Sequence, residues 1–236
     1  MPAAAAYLAL RRLLPVAGAV AAVLAIASAP WALDRAWLNV VFKPLATLCV
    51  IAWAALGRGD DGLVKRWIVV GLVFSLAGDV ALLWPVQGFL FGLVAFLLGH
   101  LSYLVALTRR VKFGASRPAF GAWAIVAASV LAGLWHGVPV ELRAPVLVYV
   151  CALGAMAAQA TSVWLARRGS ADAARWRTVA AGGALFVLSD AILAADKFVG
   201  GVTMPTLWNL SIYWLAQWFI ACAAVAFPHD NNRDIA

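Results

Sequence analysis

Eight apolar stretches, each about as long as a helix needs to cross a bilayer, fill this chain almost end to end. They lie near residues 13–29, 37–56, 67–84, 89–108, 119–135, 144–166, 178–195 and 207–227. A hydrocarbon core of ~30 Å takes about 20 apolar residues in a helix, and backbone exposed to lipid must satisfy its own hydrogen bonds. The stretches therefore predict an all-α polytopic membrane bundle of about eight transmembrane helices. So little chain is left for loops that residues 1–236 read as one integral membrane domain. Composition agrees, with 65% of residues hydrophobic and 12% charged, where a soluble domain holds roughly a quarter charged.

The net charge of +8 invites a nucleic-acid reading, but its placement excludes one. Of eighteen Lys and Arg residues, fourteen fall before the first stretch, after the last, or in the loops after the second, fourth and sixth. Only Arg35, Arg143 and Lys197 fall on the opposite side, and Lys43 lies within the second stretch. Such asymmetry is the positive-inside pattern, which puts both termini in the cytoplasm and suits a bacterial inner membrane. The segment "RRLLPVAGAVAAVLAIASAP" has the outline of a secretory signal; Pro30 directly after its Ala-Ser-Ala is a poor cleavage context, so it reads as a retained first helix. Cys49, Cys151 and Cys222 are far apart, without CxxC or Cys/His spacing. They read as packing residues, with no metal site. Tryptophans 31, 37, 67, 84, 135, 176 and 208 fall near expected helix ends, as an interfacial aromatic belt does.

Two aspartates break the apolar pattern. Asp79 sits in "FSLAGDVALL" and Asp190 in "LFVLSDAILAADKF". Superposing them aligns Leu76–Leu82 with Val187–Leu193, and each aspartate follows the last arginine before it, Arg66 or Arg177, by 13 residues. At 1.5 Å per residue, both lie ~20 Å from the cytoplasmic side. Their helices run in the same direction, which suits a twofold repeat of four helices. A charge at a helix centre costs on the order of 3 kcal/mol on insertion scales, so two point to function. Lys43, followed by Pro44, and Gln217 fall near the same depth, with His100 a little closer to the cytoplasm. The plain alternatives are a satisfied core histidine, a glutamine bonding between helices, and a lysine that only neutralises an aspartate.

Six motifs in order, "FKPL", "FSLAGDVALLW", "GFLFGLVAFLLGHLSY", "PVLVYVCALGAMAA", "GALFVLSDAILAADKF" and "YWLAQWFI", resemble the YhhN-like family of membrane proteins, whose characterised members are lysoplasmalogenases. The resemblance covers most of the chain. It implies about eight spans and no metal or organic cofactor. The family's Lys-Pro, Gly-Asp, His-x-x-Tyr, Ser-Asp and Tyr-x-x-Ala-Gln positions fall on Lys43, Asp79, His100 with Tyr103, Ser189 with Asp190, and Tyr213 with Gln217. Gly99 stands where members often carry alanine.

The implied reaction is hydrolysis of the vinyl ether of a 1-alkenyl lysophospholipid drawn from the bilayer, giving a fatty aldehyde and a glycerophospho-alcohol. A vinyl ether yields only when its β-carbon is protonated, leaving an oxocarbenium ion that water captures. That calls for a general acid and a negative group beside the cation, jobs that paired carboxyls divide in glycosidases. Asp79 and Asp190 are thus expected to form a close dyad within reach of Lys43. Lys197 or Lys43 would meet the phosphate, Tyr213 and Gln217 would orient the ether or water, and His100 would relay protons. Tyr103 and Ser189 would support the site. Two other classes fit the residues less well: a proton-coupled transporter built on the same buried Asp/Lys/His cluster, and a noncatalytic lipid-binding scaffold. Oligomeric state is not legible.

Overall fold

The computed structural model describes residues 2–225, with side chains from Ala6 onward. The predicted end of the last helix at Phe227, and His229 and Arg233 beyond it, lie outside the described residues. Eight α-helices run in chain order: α1 (Pro2–Ala27), α2 (Ala36–Ala55), α3 (Gly62–Ala81), α4 (Phe89–Thr108), α5 (Arg117–Leu134), α6 (Val140–Arg167), α7 (Ala173–Phe198) and α8 (Pro205–Ala221), the last followed by a 3-10 turn over Cys222–Ala224. There is no strand among the described residues. Six of the helices, α1, α2, α4, α5, α6 and α7, are long and apolar enough to cross a bilayer by themselves. The other two miss for visible reasons: α3 carries Lys65, Arg66 and Asp79, and α8 has 17 residues.

Polar side chains mark where helices start beyond the apolar stretches. The Asp61 carboxylate accepts from the amides of Leu63 and Val64 at 2.9 and 3.1 Å, so α3 begins five residues before Trp67 rather than at it. Ser116 caps α5 through the Ala119 amide at 3.4 Å. At the start of α7, the residue before the helix, Asp172, accepts from Arg175 at 2.9 Å and from the Trp176 indole at 2.7 Å. Arg175 and Arg177, expected in a loop, therefore lie within helix. Trp176 is fully buried, with Arg110 and Arg175 near its ring at 5.5 and 4.9 Å. It is a core anchor, not a member of the aromatic belt. The burial of Arg175 is met by pairing: it bonds Asp60 at 3.1 and 3.3 Å and the Val225 carbonyl at 3.1 Å, and Arg110 grips the same carboxylate at 3.0 and 2.8 Å. The α2–α3 loop, the end of α4, the start of α7 and the segment after α8 thus meet at one end of the bundle, as helices alternating in direction require.

This ion cluster gives stability a pH limit. Burial pushes the Asp172 carboxyl up, but hydrogen bonds from Ser170, Trp176 and Arg175 together outweigh it and hold the group at about 2. A carboxyl lowered in the folded state contributes stability above its unfolded value and loses it as pH falls through the folded one. Melting temperature in detergent is expected to fall as the medium is taken from pH ~4 toward ~2. Asp172→Asn should melt lower at neutral pH and lose less across that window; an unchanged profile would contradict the lock.

Helix contacts run α1 on α2, α3 on α4, α5 on α6 and α7 on α8, with α6 also against α4 and α7 and with α8 reaching α1, α2 and α3. Small residues allow the tightest of these approaches, the usual device where lipid offers no hydrophobic drive between helices. A Cβ on Gly71 would lie 2.3 Å from the Tyr103 ring, and one on Gly78 would lie 2.6 Å from Phe96. Gly71→Val is therefore expected to force α3 off α4 and displace Tyr103, at about 1–3 kcal/mol for overpacking. A melting temperature equal to the parent's would refute that crossing. Large apolar side chains such as Val16, Val20 and Val23 on α1 point outward, as a bilayer requires. Cys151 is exposed, Cys222 partly buried and Cys49 buried, all as free thiols; packing accounts for Cys49 but not for Cys151.

Candidate functional site

The two aspartates sit in separate hydrogen-bonded groups. Asp79 of α3, 1% exposed, is reached from α2 and α8. Its Oδ2 accepts from the Thr47 hydroxyl at 2.6 Å and from the Tyr213 hydroxyl at 2.8 Å, and the Lys43 ammonium lies 3.8 Å from Oδ1. Thr47 follows Lys43 by one helical turn, so both reach the same carboxylate from one face of α2. Around this core the network closes: Gln217 donates to the Tyr213 oxygen at 3.1 Å, Tyr103 donates to the Gln217 carbonyl at 2.7 Å, and the Trp214 indole donates to Thr47 at 3.1 Å. Ser75 lies 3.4 Å from the Tyr103 hydroxyl.

Asp190 has different company. The Tyr149 hydroxyl of α6 donates to its Oδ2, and His100 of α4 has Nε2 at 2.9 Å from the same hydroxyl oxygen. With Tyr149 donating to Asp190, the histidine is assigned its proton on Nε2, giving a chain from His100 through Tyr149 to the carboxyl. The other ring nitrogen, Nδ1, is buried without a partner among the described residues. No described group bonds Asp190 Oδ1, and the side chain keeps 15% of its surface open. The opening is specific: Asp190 and Tyr149 line an apolar cavity between α4, α5, α6 and α7, walled by Leu93, Phe96, Val150, Leu153 and Ala194 among others. Among the described residues, Asp190 is the one carboxyl on that wall.

An aromatic layer touches both groups. The Phe186 ring stands edge-on to His100 at 4.6 Å and to Tyr213 at 5.6 Å, and Phe96 packs on Phe186 and Tyr213 at 6.3 and 5.8 Å. Such edge-to-face contacts hold ring positions without a proton path. Of the expected dyad and its lysine, Lys43 reaches Asp79, and the two carboxyls have separate hydrogen-bond partners. Asp79 takes Lys43, Asp190 takes Tyr149 and His100, and no hydrogen bond or ion pair joins the two sets. Equivalence by sequence repeat has not given equivalent surroundings.

The other expected residues divide plainly. Tyr103, Tyr213 and Gln217 belong to the Asp79 network. Ser189 belongs to neither: its hydroxyl donates to the Asn209 carbonyl at 3.1 Å, and the Asn209 amide donates back to the Ser189 carbonyl at 2.9 Å, a clamp between α7 and α8. Lys197 is exposed, its ammonium 4.2 Å from the Phe89 ring centre and 3.5 Å from the Pro85 carbonyl. Together with Lys43 it lines a second pocket, whose polar wall includes Asn39, Asp196 and Asn209. That pocket and the apolar cavity share Leu82, Phe89 and Leu193. A compartment that carries two lysines and several other polar side chains therefore adjoins an apolar one, the division an amphiphile with an anionic head presents. Thr47, Trp214 and Tyr149 were missed from sequence. Thr47 was signalled by its spacing from Lys43; nothing in sequence set Tyr149 apart from the apolar run around it.

Comparison with known proteins matches residues 38–224 to the YhhN family. Lysoplasmalogenase of Mycobacterium bovis is 34% identical over 185 residues, covering 74% of this chain and 67% of its own. Lysoplasmalogenase TMEM86A of Homo sapiens is 32% identical, covering 80% of this chain and 79% of its own. Lysoplasmalogenase TMEM86B of Mus musculus is 30% identical, covering 81% and 77%. No solved structure matches the chain.

Proposed function

This chain belongs to the YhhN family, and from that premise we propose that it is a membrane ether hydrolase of the lysoplasmalogenase kind, cleaving the vinyl ether of 1-alkenyl lysophospholipids with Asp190 as the general acid. One observation carries the assignment of the acid: Asp190 is the carboxyl that opens onto the apolar cavity, while Asp79 is buried among its own donors and is not on that cavity's wall.

The alkenyl chain occupies the apolar cavity, and the phosphate sits in the adjoining pocket against Lys197, with Lys43 at its floor. Asp190, in its acid form, passes a proton from Oδ1 to the β-carbon of the vinyl ether. The double-bond electrons form the new C–H bond, and the ether oxygen's lone pair makes the oxocarbenium ion. The carboxylate left behind lies beside that cation, so one residue supplies both the proton and the compensating charge. Water adds to the cationic carbon and gives up a proton, which returns to Asp190. Tyr149 holds Asp190 in place through Oδ2, and His100 is positioned to move the proton along that chain. The hemiacetal then breaks to aldehyde and alcohol. In this reading Asp79 is a positioning residue. With Lys43, Thr47 and Tyr213 it fixes the aromatic layer against which His100 rests.

The placement proposed with this activity is eight spans in one domain of a bacterial inner membrane, and the charge pattern supports cytoplasmic termini. The test is direct. Purified protein incubated with alkenyl lysophosphatidylcholine or lysophosphatidylethanolamine should release fatty aldehyde in step with the glycerophospho-alcohol. Well-folded protein that releases none refutes the proposal.

A further inference from the structure

Two apolar depressions meet at Trp123. One is the cavity that holds Asp190; the other is a groove along the outer seam of α5 and α6, lined by Phe120, Ala124, Ala128, Leu147 and Cys151 among others. They have Trp123, Ala127, Val150 and Gly154 in common, so these four residues form the partition between cavity and groove. The partition is thin for a reason of size: a Cβ on Gly154 would already touch that of Ala127 at 3.5 Å. Its largest member is held by a single polar contact, the Trp123 indole donating to the Thr161 hydroxyl at 3.0 Å.

The helix that carries half of this partition is the one least held by the bundle. Of the 18 residues of α5, Ala119 and Leu134, one near each end, are buried. Its neighbours are α6 and, more slightly, α7. Between its ends α5 leans on its neighbours through small residues, the partly buried Val130 and Leu131, and the one indole bond. An element with so little buried contact opens at low cost.

We propose that the α5–α6 seam is the lateral entrance by which the single hydrocarbon chain of a lysolipid passes from the bilayer to the Asp190 cavity, with Trp123 as its movable wall. The inference rests on the lysolipid reading above. The occupant follows from the surroundings. The groove offers no charge, it opens where lipid chains lie, and across the partition it adjoins the apolar cavity onto which Asp190 opens. Every methylene led instead through water to the Lys197 pocket would be stripped of lipid at a free-energy cost. Along the seam the chain stays in apolar surroundings throughout, and its head follows at the interface.

Cys151, exposed on the groove beside the partition and not itself on the cavity wall, offers a plug. Full-length protein is alkylated with a bulky maleimide, occupancy at Cys151 is measured by mass spectrometry, and Cys151→Ala treated in the same way controls for reaction at Cys49 and Cys222. The labelled parent is expected to lose at least ~10-fold in kcat/KM on a long-chain alkenyl lysophosphatidylcholine, while a short-chain, water-soluble analogue is turned over as before. The reagent should leave the Cys151→Ala protein's rates as they were. Full labelling without loss on the long chain, or equal loss on both chains, overturns the entrance. A binding measurement keeps the inference separate from the reaction. A small fluorophore on Cys151 should be quenched saturably by lysophosphatidylcholine carrying a nitroxide in its chain, and relieved by unlabelled lysolipid. Quenching that only rises linearly, as for bulk lipid, also overturns it. Absence of aldehyde from the unlabelled parent overturns the proposed function alone.

Discussion

Asp190→Asn is expected to insert, purify and melt much as the parent does, yet release fatty aldehyde at least ~100-fold more slowly, the lower scale for loss of a general acid. The amide oxygen can still accept the Tyr149 hydroxyl bond, so the local geometry survives. What is lost is a proton that can be given to carbon, and the carboxylate that would sit beside the oxocarbenium ion. Initial rates with alkenyl lysophosphatidylcholine, together with a melting curve in the same detergent, separate the two consequences. Tyr149→Phe should give a smaller loss on the same assay, because it loosens the acid without removing it. Near-parental rates for Asp190→Asn would mean that the carboxyl in the cavity is structural.

The second large effect concerns stability. Lys43→Met leaves the Asp79 carboxylate buried with no cation, and Asp79→Asn leaves the Lys43 ammonium buried with no anion. Breaking a buried pair from one side costs about 3–5 kcal/mol, whereas removing both charges is often neutral. Each single variant should therefore melt well below the parent, and Lys43→Met with Asp79→Asn combined should recover most of the loss. Thermal melts in detergent complete this double-mutant cycle. If the two single losses simply added in the combined variant, the 3.8 Å contact would be an approach without coupling. A pair that acts this way also explains why dropping charge from Asp79 alone is a poor test of catalysis: it perturbs the fold first.

Much of this was legible beforehand, and the pattern of what was not is physical. Helix positions follow from apolar run length, so α4 begins and ends where its sequence does, at Phe89 and Thr108. Starts set by polar residues escaped, because the apolar run says nothing about the cap that Asp61 supplies outside it or the side-chain bonds that Asp172 makes to Arg175 and Trp176. Lys43, Asp79, His100 and Asp190 were visible because charge or imidazole inside an apolar run is costly enough to need a reason. Their partition into two groups was not visible. Depth along a helix can be counted from sequence, but which face each side chain takes against its neighbours depends on packing, here on Phe186 and Phe96 between Tyr213 and His100. Tyr149 escaped for the opposite reason: a tyrosine among valines and leucines is ordinary until its hydroxyl is seen on Asp190. Trp176 misled because nearness to a helix end resembles an interfacial belt, and only the ion cluster of Asp172, Arg110 and Arg175 draws it inward.

The central claim is that a proton is delivered by a fixed acid to one face of the vinyl ether. Turnover in heavy water, with the aldehyde reduced to its alcohol as it forms so that later exchange is blocked, reads this directly. The account predicts one deuteron on the carbon next to the former carbonyl, in a single configuration. Deuterium distributed equally between the two configurations, or absent, would contradict it.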